Sequence, residues 1–209
     1  MAAEKQTTEV RQDEIARAAL ELVGTGGMKG LSMAAIARKV GIVPSGIYRH
    51  FRSKDDVIDA ILDYLQRGLS GNVRAIAHLE GTAVERLCFL LMKHINLVRQ
   101  NKSIPVVVFS TEVYNGNPDR RVKLLGIIEA YLAEIAAMVA QGQREGSIRE
   151  ALDPKAVAIM FMGLVQPSTI LWHLSAGEHD AMQQAETAWP IFRSAIERKT
   201  TVANKQETL

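Results

Sequence analysis

GLSMAAIARKVGIVPSGIYRHFRSKDDVIDAIL, residues 30–62, holds two short segments of helical apolar spacing separated by a glycine turn. Ser32 stands before Met33, Ile36, Ala37 and Val40, an i, i+3, i+4, i+7 pattern opened by a residue that can cap a helix and closed by Gly41. Pro44 then suits a first helical position, where its missing N–H has no intrahelical partner, and Ile47 with Phe51 forms the apolar face of a helix expected over 44–51. After Phe51, Ser53 and Asp56 make an S-x-x-D capping pair ahead of Val57, Ile58, Ile61, Leu62 and Leu65. That helix is expected to end near RGLSGN, residues 67–72.

Outward from this stretch the pattern stays helical. Upstream, Ile15, Ala18, Ala19, Leu22 and Val23 recur at helical spacing until GTGG at 24–27. Downstream, helices are expected over 84–101, 104–113, 119–145, 154–175 and 180–198, with turn residues at 115–118 and 145–147. No strand-like alternation of apolar and polar residues survives along the chain, so the fold class is all-α. Residues 9–53 read as a three-helix head and 54–199 as a second, longer helical domain, with 54–69 as the linking helix. The polar tail TTVANKQETL, 200–209, reads as disordered.

Charge placement is more informative than the net +2 of the 209 residues. Between Glu21 and Asp55 there is no carboxylate, while Lys29, Arg38, Lys39, Arg49, Arg52 and Lys54 are cationic, an electrostatic footprint for phosphate. The longest apolar run, 156–165, is half the length of a bilayer crossing, and the N-terminus lacks a hydrophobic signal segment, so no membrane partner and a cytoplasmic location are expected. Cys88 is the single cysteine and sits in apolar LCFLLM, an inert setting. His78, His94, His173 and His179 lack metal-ligand spacing and read as structural or surface histidines. Neither a catalytic constellation nor a cofactor motif is visible; Asp55 and Asp56 at a helix start favour the helix dipole.

Two short helices around a tight glycine turn make a helix-turn-helix, whose second helix can lie in the major groove. PSGIYRH then offers Ser45, Tyr48, Arg49 and His50 as polar groups while Ile47 points inward. Residues 30–62 resemble the DNA-binding signature of the tetracycline-repressor (TetR) family. The resemblance rests on Ser32, Ile36-Ala37, Gly41, the ending Ile47-Tyr48-x-His50-Phe51 and Ser53-Lys54, and its specific part covers 9–65. It implies phosphate contacts from Ser32, Tyr48, His50 and Lys54, and base-edge contacts from Val43, Pro44, Ser45 and Arg49. Gly46 and Val43 depart from the family, standing where small or capping hydroxyl residues are common. Tyr48 also admits a second reading, with Phe51, as closure of the small head core.

Three features lie beyond the signature. Pro167 falls inside an apolar helix four residues after Gly163, where its ring clashes with the preceding turn and a kink is expected. Met92, Phe109, Tyr131, Met138, Phe161 and Met162 supply soft apolar surface for a ligand cavity, with Glu112 or Gln166 as its polar anchor, although ordinary core and solvated surface are equally open readings. The last two helices carry more apolar residues than one layer requires. In the family such helices pair as a four-helix dimer bundle, which nominates Ile159, Leu171, Trp172, Trp189, Phe192 and Ile196 for the interface. The resemblance thus implies a homodimer that binds a pseudo-palindromic double-stranded operator and is released by a mainly apolar effector. An activator and a ligand-independent DNA binder remain alternatives.

Overall fold

A computed structural model describes residues 8–114, 116–175 and 177–198, apart from the side chain of His173; the tail 200–209 lies outside them. Among the described residues, ten α-helices and one 3₁₀ turn make up the regular structure, with an isolated bridge between Ile148 and Glu197.

The head consists of α1 (Thr8–Gly26), the 3₁₀ turn Met28–Gly30, α2 (Met33–Val40) and α3 (Pro44–Ile47). Ile15, Ala16, Ala19, Ile36, Ala37, Ile47 and Phe51 close its small core. Ser32 caps α2 by accepting a hydrogen bond from the Ala35 N–H at 3.2 Å. Gly41 ends α2 at φ 76°, a left-handed conformation that costs glycine nothing and a side chain about 1 kcal/mol or more. The second helix of the motif is shorter than its apolar spacing predicts: α3 stops at Ile47, and residues 48–50 continue as turns held by the His50 and Phe51 N–H groups on the Ile47 carbonyl.

α4 (Lys54–Ala77) runs from the head into the body. It passes through RGLSGN instead of ending there, because Leu69 and Ile76 stay buried on one face. Gly68 lets α5 approach: a Cβ at this position would lie 2.9 Å from a Leu97 methyl. α5 (Ala83–Gln100) opens with a Thr82–Glu85 capping box and packs against α4, α8, α9 and α10. The expected helix over 104–113 divides into α6 (Ile104–Val108) and α7 (Thr111–Tyr114). α8 (Pro118–Arg144), α9 (Pro154–Leu174) and α10 (Ala181–Ile196) complete the bundle.

By length and composition Pro154–Trp172 of α9 suffices to cross a membrane, with a mean hydropathy of 1.3, which the uninterrupted apolar run alone understated. In the fold this helix lies against α5, α8 and α10. Pro167 is inside α9, as expected, and exposed. On the inner side the Ser168 and Thr169 hydroxyls donate to the Leu164 and Gln166 carbonyls, each at 2.9 Å, covering acceptors in the turn that proline disturbs. Pro190 inside α10 was not singled out in the sequence; it too is exposed.

Candidate nucleic-acid interface and ligand site

The reading surface is built on α2, α3 and the turn after them. Val43, Pro44, Ser45, Tyr48 and Arg49 are exposed on one short stretch, while Ile47 between them is fully buried. Tyr48 therefore does not close the head core; Phe51 does. His50 is half-buried, and its Nδ1 has no hydrogen-bond partner among the described residues. Gly46 is half-buried, and a Cβ there would lie 3.4 Å from Ile42.

The basic footprint is partly spent on intramolecular contacts. Lys39 pairs with Glu21 at 2.7 Å, Arg52 lies 3.5 Å from Asp56, and Lys54 donates to the Met28 carbonyl at 3.1 Å. Among the described residues Lys29, Arg38 and Arg49 form no ion pair. Asp56 also accepts the Arg52 backbone N–H at 2.8 Å, which holds its carboxyl below the usual range, and its own N–H is capped by Ser53 at 3.1 Å.

The linking helix α4 is tied to the start of α8 by a clasp that sequence reasoning missed. Arg120, at the start of α8 and 2% exposed, bonds Asp59 at 2.8 Å, lies 3.3 Å from Asp55, and donates to the backbone carbonyls of Asp55 and Glu112. Lys123 pairs with Asp63 at 2.6 Å. Asp55, Asp59 and Asp63 recur every four residues on one face of α4, a stripe that could have signalled a cationic neighbour. An arginine is tolerated at this depth because carboxylates and carbonyls fill its donor fork.

The residues expected to line a ligand cavity do not converge. Phe109 is exposed and stacks on Tyr114 at 6.3 Å. Glu112 is half-buried and bonded by Thr111 at 3.2 Å, Gln166 is on the exposed side of α9, and Phe161 is core, in edge contact with Phe192 at 6.2 Å. Met138 is buried, while Met92 and Met162 are half-buried against the core. Tyr131 lines a groove, about 360 Å³ in volume, between α4 and α8 with Leu69, Ser70, Val73, Arg74 and Glu134.

Tyr131 is 4% exposed and its hydroxyl has no partner among the described residues; burial raises its pKa. Its ring meets His94 of α5 edge-on at 5.2 Å between centroids. His94 is 5% exposed, its Nδ1 is likewise unpartnered, and burial lowers its pKa to about 4. The spacing argument that made His94 an ordinary histidine tested only for metal ligands. His78 and His179 are exposed, and the side chain of His173 lies outside the described residues. Among the described residues no group of three or more His, Cys, Asp or Glu could hold a metal. Cys88 is half-buried, and desolvation raises its thiol pKa.

The expected interface residues divide. Ile159 and Leu171 are exposed on the outer face of α9, with Met160, Ile170 and Leu174, and Ile191 extends this surface on α10. Trp189, Phe192 and Ile196 are instead buried in the chain's own core, where Trp189 and Phe192 lie 5.6 Å apart and Phe192 abuts Phe161. They cannot meet a partner without unpacking α10 from α5 and α9. Trp172 is half-buried, with the Lys102 ammonium 5.4 Å from its ring.

Residues 15–61 match the bacterial regulatory proteins of the tetR family, and residues 80–196 match the tetracyclin repressor-like C-terminal domain, over half of the chain. The chain belongs to the TetR family. As a TetR-family protein it is a DNA-binding transcription regulator with an N-terminal helix-turn-helix and a helical C-terminal domain. It is similar to the nucleoid occlusion factor SlmA of Edwardsiella ictaluri, 22% identical over 94% of this chain and 100% of that one. Among solved structures it shares the fold of the fatty acid degradation regulator FadR from Bacillus halodurans, with a TM-score of 0.76 and 19% identity over 91% and 97% of the two chains. FadR from Bacillus subtilis in complex with stearoyl-CoA superposes with a TM-score of 0.74 at 22% identity, covering 88% and 98%.

Proposed function

We propose that this TetR-family protein is a homodimeric repressor that leaves its operator when a small, mainly apolar molecule binds within the helical body. The observation that carries the reading is the division of labour along α4. At one end stands a head with exposed Tyr48 and Arg49 and no carboxylate between Glu21 and Asp55; at the other lies a groove of about 360 Å³ lined by Leu69, Val73, Ile127 and Tyr131. A ligand moves the head only if it binds two body conformations with different affinity. A hundredfold loss of operator affinity needs about 2.7 kcal/mol of such coupling. The exposed apolar stripe of α9 and α10 supports pairing of two copies, and a pseudo-palindrome read by such a pair is expected to have half-site centres about 34 Å apart, one DNA turn. Such work is done in the cytoplasm, beside the chromosome. The stearoyl-CoA held by the Bacillus subtilis relative supports an apolar effector.

A second reading is a ligand-independent, nucleoid-type binder, favoured by the likeness to nucleoid occlusion factors across nearly the whole chain. Selection of bound fragments from the source genome separates the two. A regulator prefers one palindrome over arbitrary duplex by roughly 10³ or more, whereas equal retention of all fragments sinks the operator-specific reading. On the selected operator, Arg49→Ala costs about 1–3 kcal/mol and blurs one base position, if its guanidinium reads guanine through two bonds. Lys54→Ala weakens all sequences alike and lowers the salt slope by roughly one unit; an unchanged slope rejects a phosphate contact from Lys54.

A further inference from the structure

We propose that the crevice where α1 and α2 of the head face the turn between α5 and α6 of the body binds a small phosphate monoester, a dianion that carries an apolar group. The site is separate from the reading surface and from the groove beside Tyr131, and it stands whether or not an apolar effector releases the operator.

The crevice is about 610 Å³ in volume. Its head wall is Arg17, Leu20, Glu21 and Gly24 of α1 with Lys39 of α2, and its body wall is Tyr64 of α4 with residues 100–103. The walls close on each other through Gly24: a Cβ there would lie 2.5 Å from the Ser103 Oγ, so only glycine leaves that hydroxyl undisturbed. Ser103 is 3% exposed, yet its hydroxyl forms no hydrogen bond among the described residues. The half-buried Tyr64 hydroxyl forms none either. Their polar neighbours are committed elsewhere, since the Asn101 amide donates to the Leu97 carbonyl at 2.9 Å and the Thr25 hydroxyl to the Leu22 carbonyl at 3.2 Å. Two hydroxyl donors therefore line the crevice without an acceptor.

The charges around them are unbalanced. Arg17, Lys39 and Lys102 face one carboxylate, Glu21, which leaves two positive charges uncompensated. Glu21 pairs with Lys39 at 2.7 Å. Arg17 and Lys102 form no ion pair among the described residues; the Lys102 ammonium lies 5.4 Å from the Trp172 ring, a contact that uses none of its N–H donors on an acceptor. A phosphate monoester brings a charge of about −1.5 to −2 at neutral pH and three acceptor oxygens, which match two free cations and two free hydroxyls. The arginine fork and the lysine ammonium both suit such oxygens. Leu20, Leu22 and the Tyr64 ring add an apolar floor that a bare inorganic anion leaves uncovered. Because the walls come from both regions, an occupant ties the head to the body by a route other than α4.

The test uses the full-length protein with phenyl phosphate, phenyl sulfate and inorganic phosphate as probes, followed by calorimetric titration and amide hydrogen exchange. Phenyl phosphate is expected to bind one per chain and to slow exchange in 17–25 and 100–104 but not in 43–50. Phenyl sulfate, with one charge, and inorganic phosphate, with no apolar group, are each expected to bind more weakly by roughly fivefold or more. Arg17→Gln and Lys102→Gln, both at exposed positions that folding tolerates, are expected to weaken phenyl phosphate by roughly fivefold each. Glu21→Gln is expected to tighten it, because the repelling carboxylate goes and Lys39 is freed. Lys155→Gln removes a cation at the start of α9, away from the crevice, and is expected to bind as the parent does. Absence of phenyl phosphate binding, equal binding of phenyl sulfate, or parent-like affinity in both Arg17→Gln and Lys102→Gln overturns the proposal. A loss in Lys155→Gln equal to theirs shows diffuse attraction and overturns it as well. A DNA phosphate has the same chemistry as the ester, and operator binding without probe separates the two sources. Arg17→Gln is expected to keep the parent's operator affinity and salt slope; a slope lowered by roughly one unit assigns the crevice to DNA and overturns the small-ligand site.

Discussion

In the head, the polar side chains Ser45, Tyr48 and Arg49 stand in solvent around a buried Ile47. The body carries different features. Its unsatisfied polar atoms, on His94 and Tyr131, are inside, and its surplus apolar residues are outside, with Ile159 63% and Ile191 72% exposed. Each pattern names its partner by chemistry. A hydrated polyanion such as DNA is met by exposed polar groups that reach it without unpacking anything. A second copy of the chain is met by an outward apolar stripe.

The sharpest way to break this comparison uses two adjacent residues of α10. Phe192 is 4% exposed, and Phe192→Asp is expected to remove more than about 4 kcal/mol of stability, unfolding the chain in thermal melts followed by circular dichroism. Ile191→Asp is expected to leave a helical, cooperatively melting protein that sediments as a monomer. Its operator affinity falls by roughly a hundredfold, because each head then binds a half-site alone. A dimeric Ile191→Asp protein would show that the outward stripe is not the interface.

A second expectation sharpens the contrast between polar groups inside and outside. Burial keeps His94 neutral in the folded chain down to about pH 4, while the unfolded chain protonates it near its ordinary value of 6.5. As the pH falls through that window the unfolded state takes up a proton that the folded state does not, so stability declines. The group makes folding about 3 kcal/mol less favourable at pH 4 than at pH 7, a slope that His94→Leu should remove from denaturant melts taken across this range. A parent-like slope in the variant would place His94 in contact with solvent.

The smallest expected effect concerns the joint between the two regions. Arg120→Met leaves Asp59 unpaired but partly solvated, and the expected loss is about 2 kcal/mol in melting, below the penalty for stranding a fully buried charge. If the clasp is the pivot, effector binding in the variant stays near that of the parent while operator release by the effector weakens. Release at an unchanged effector concentration would show that α4 moves without it.

The head was legible in the sequence because its signals are local. A hydroxyl cap at Ser32, a turn glycine at Gly41, Pro44 at a helix start and an apolar residue each turn all lie within one segment, and each acts on neighbours a few residues away. The end of α4 was misread for the same reason. RGLSGN has the composition of a stop, and only the packing of Gly68 against Leu97 shows why the helix continues.

The sequence by itself determined an all-α chain, a helix-turn-helix with its reading residues in order, and a surplus of apolar residues in the last two helices. The tertiary structure alone decided where that surplus goes. Period 3.6 marks a face as apolar without stating whether its own core or another copy covers it, so Trp189, Phe192 and Ile196 could not be told from Ile159, Leu171 and Ile191. The Arg120 clasp and the meeting of His94 and Tyr131 likewise depend on the register of helices far apart in the chain, which long-range packing sets.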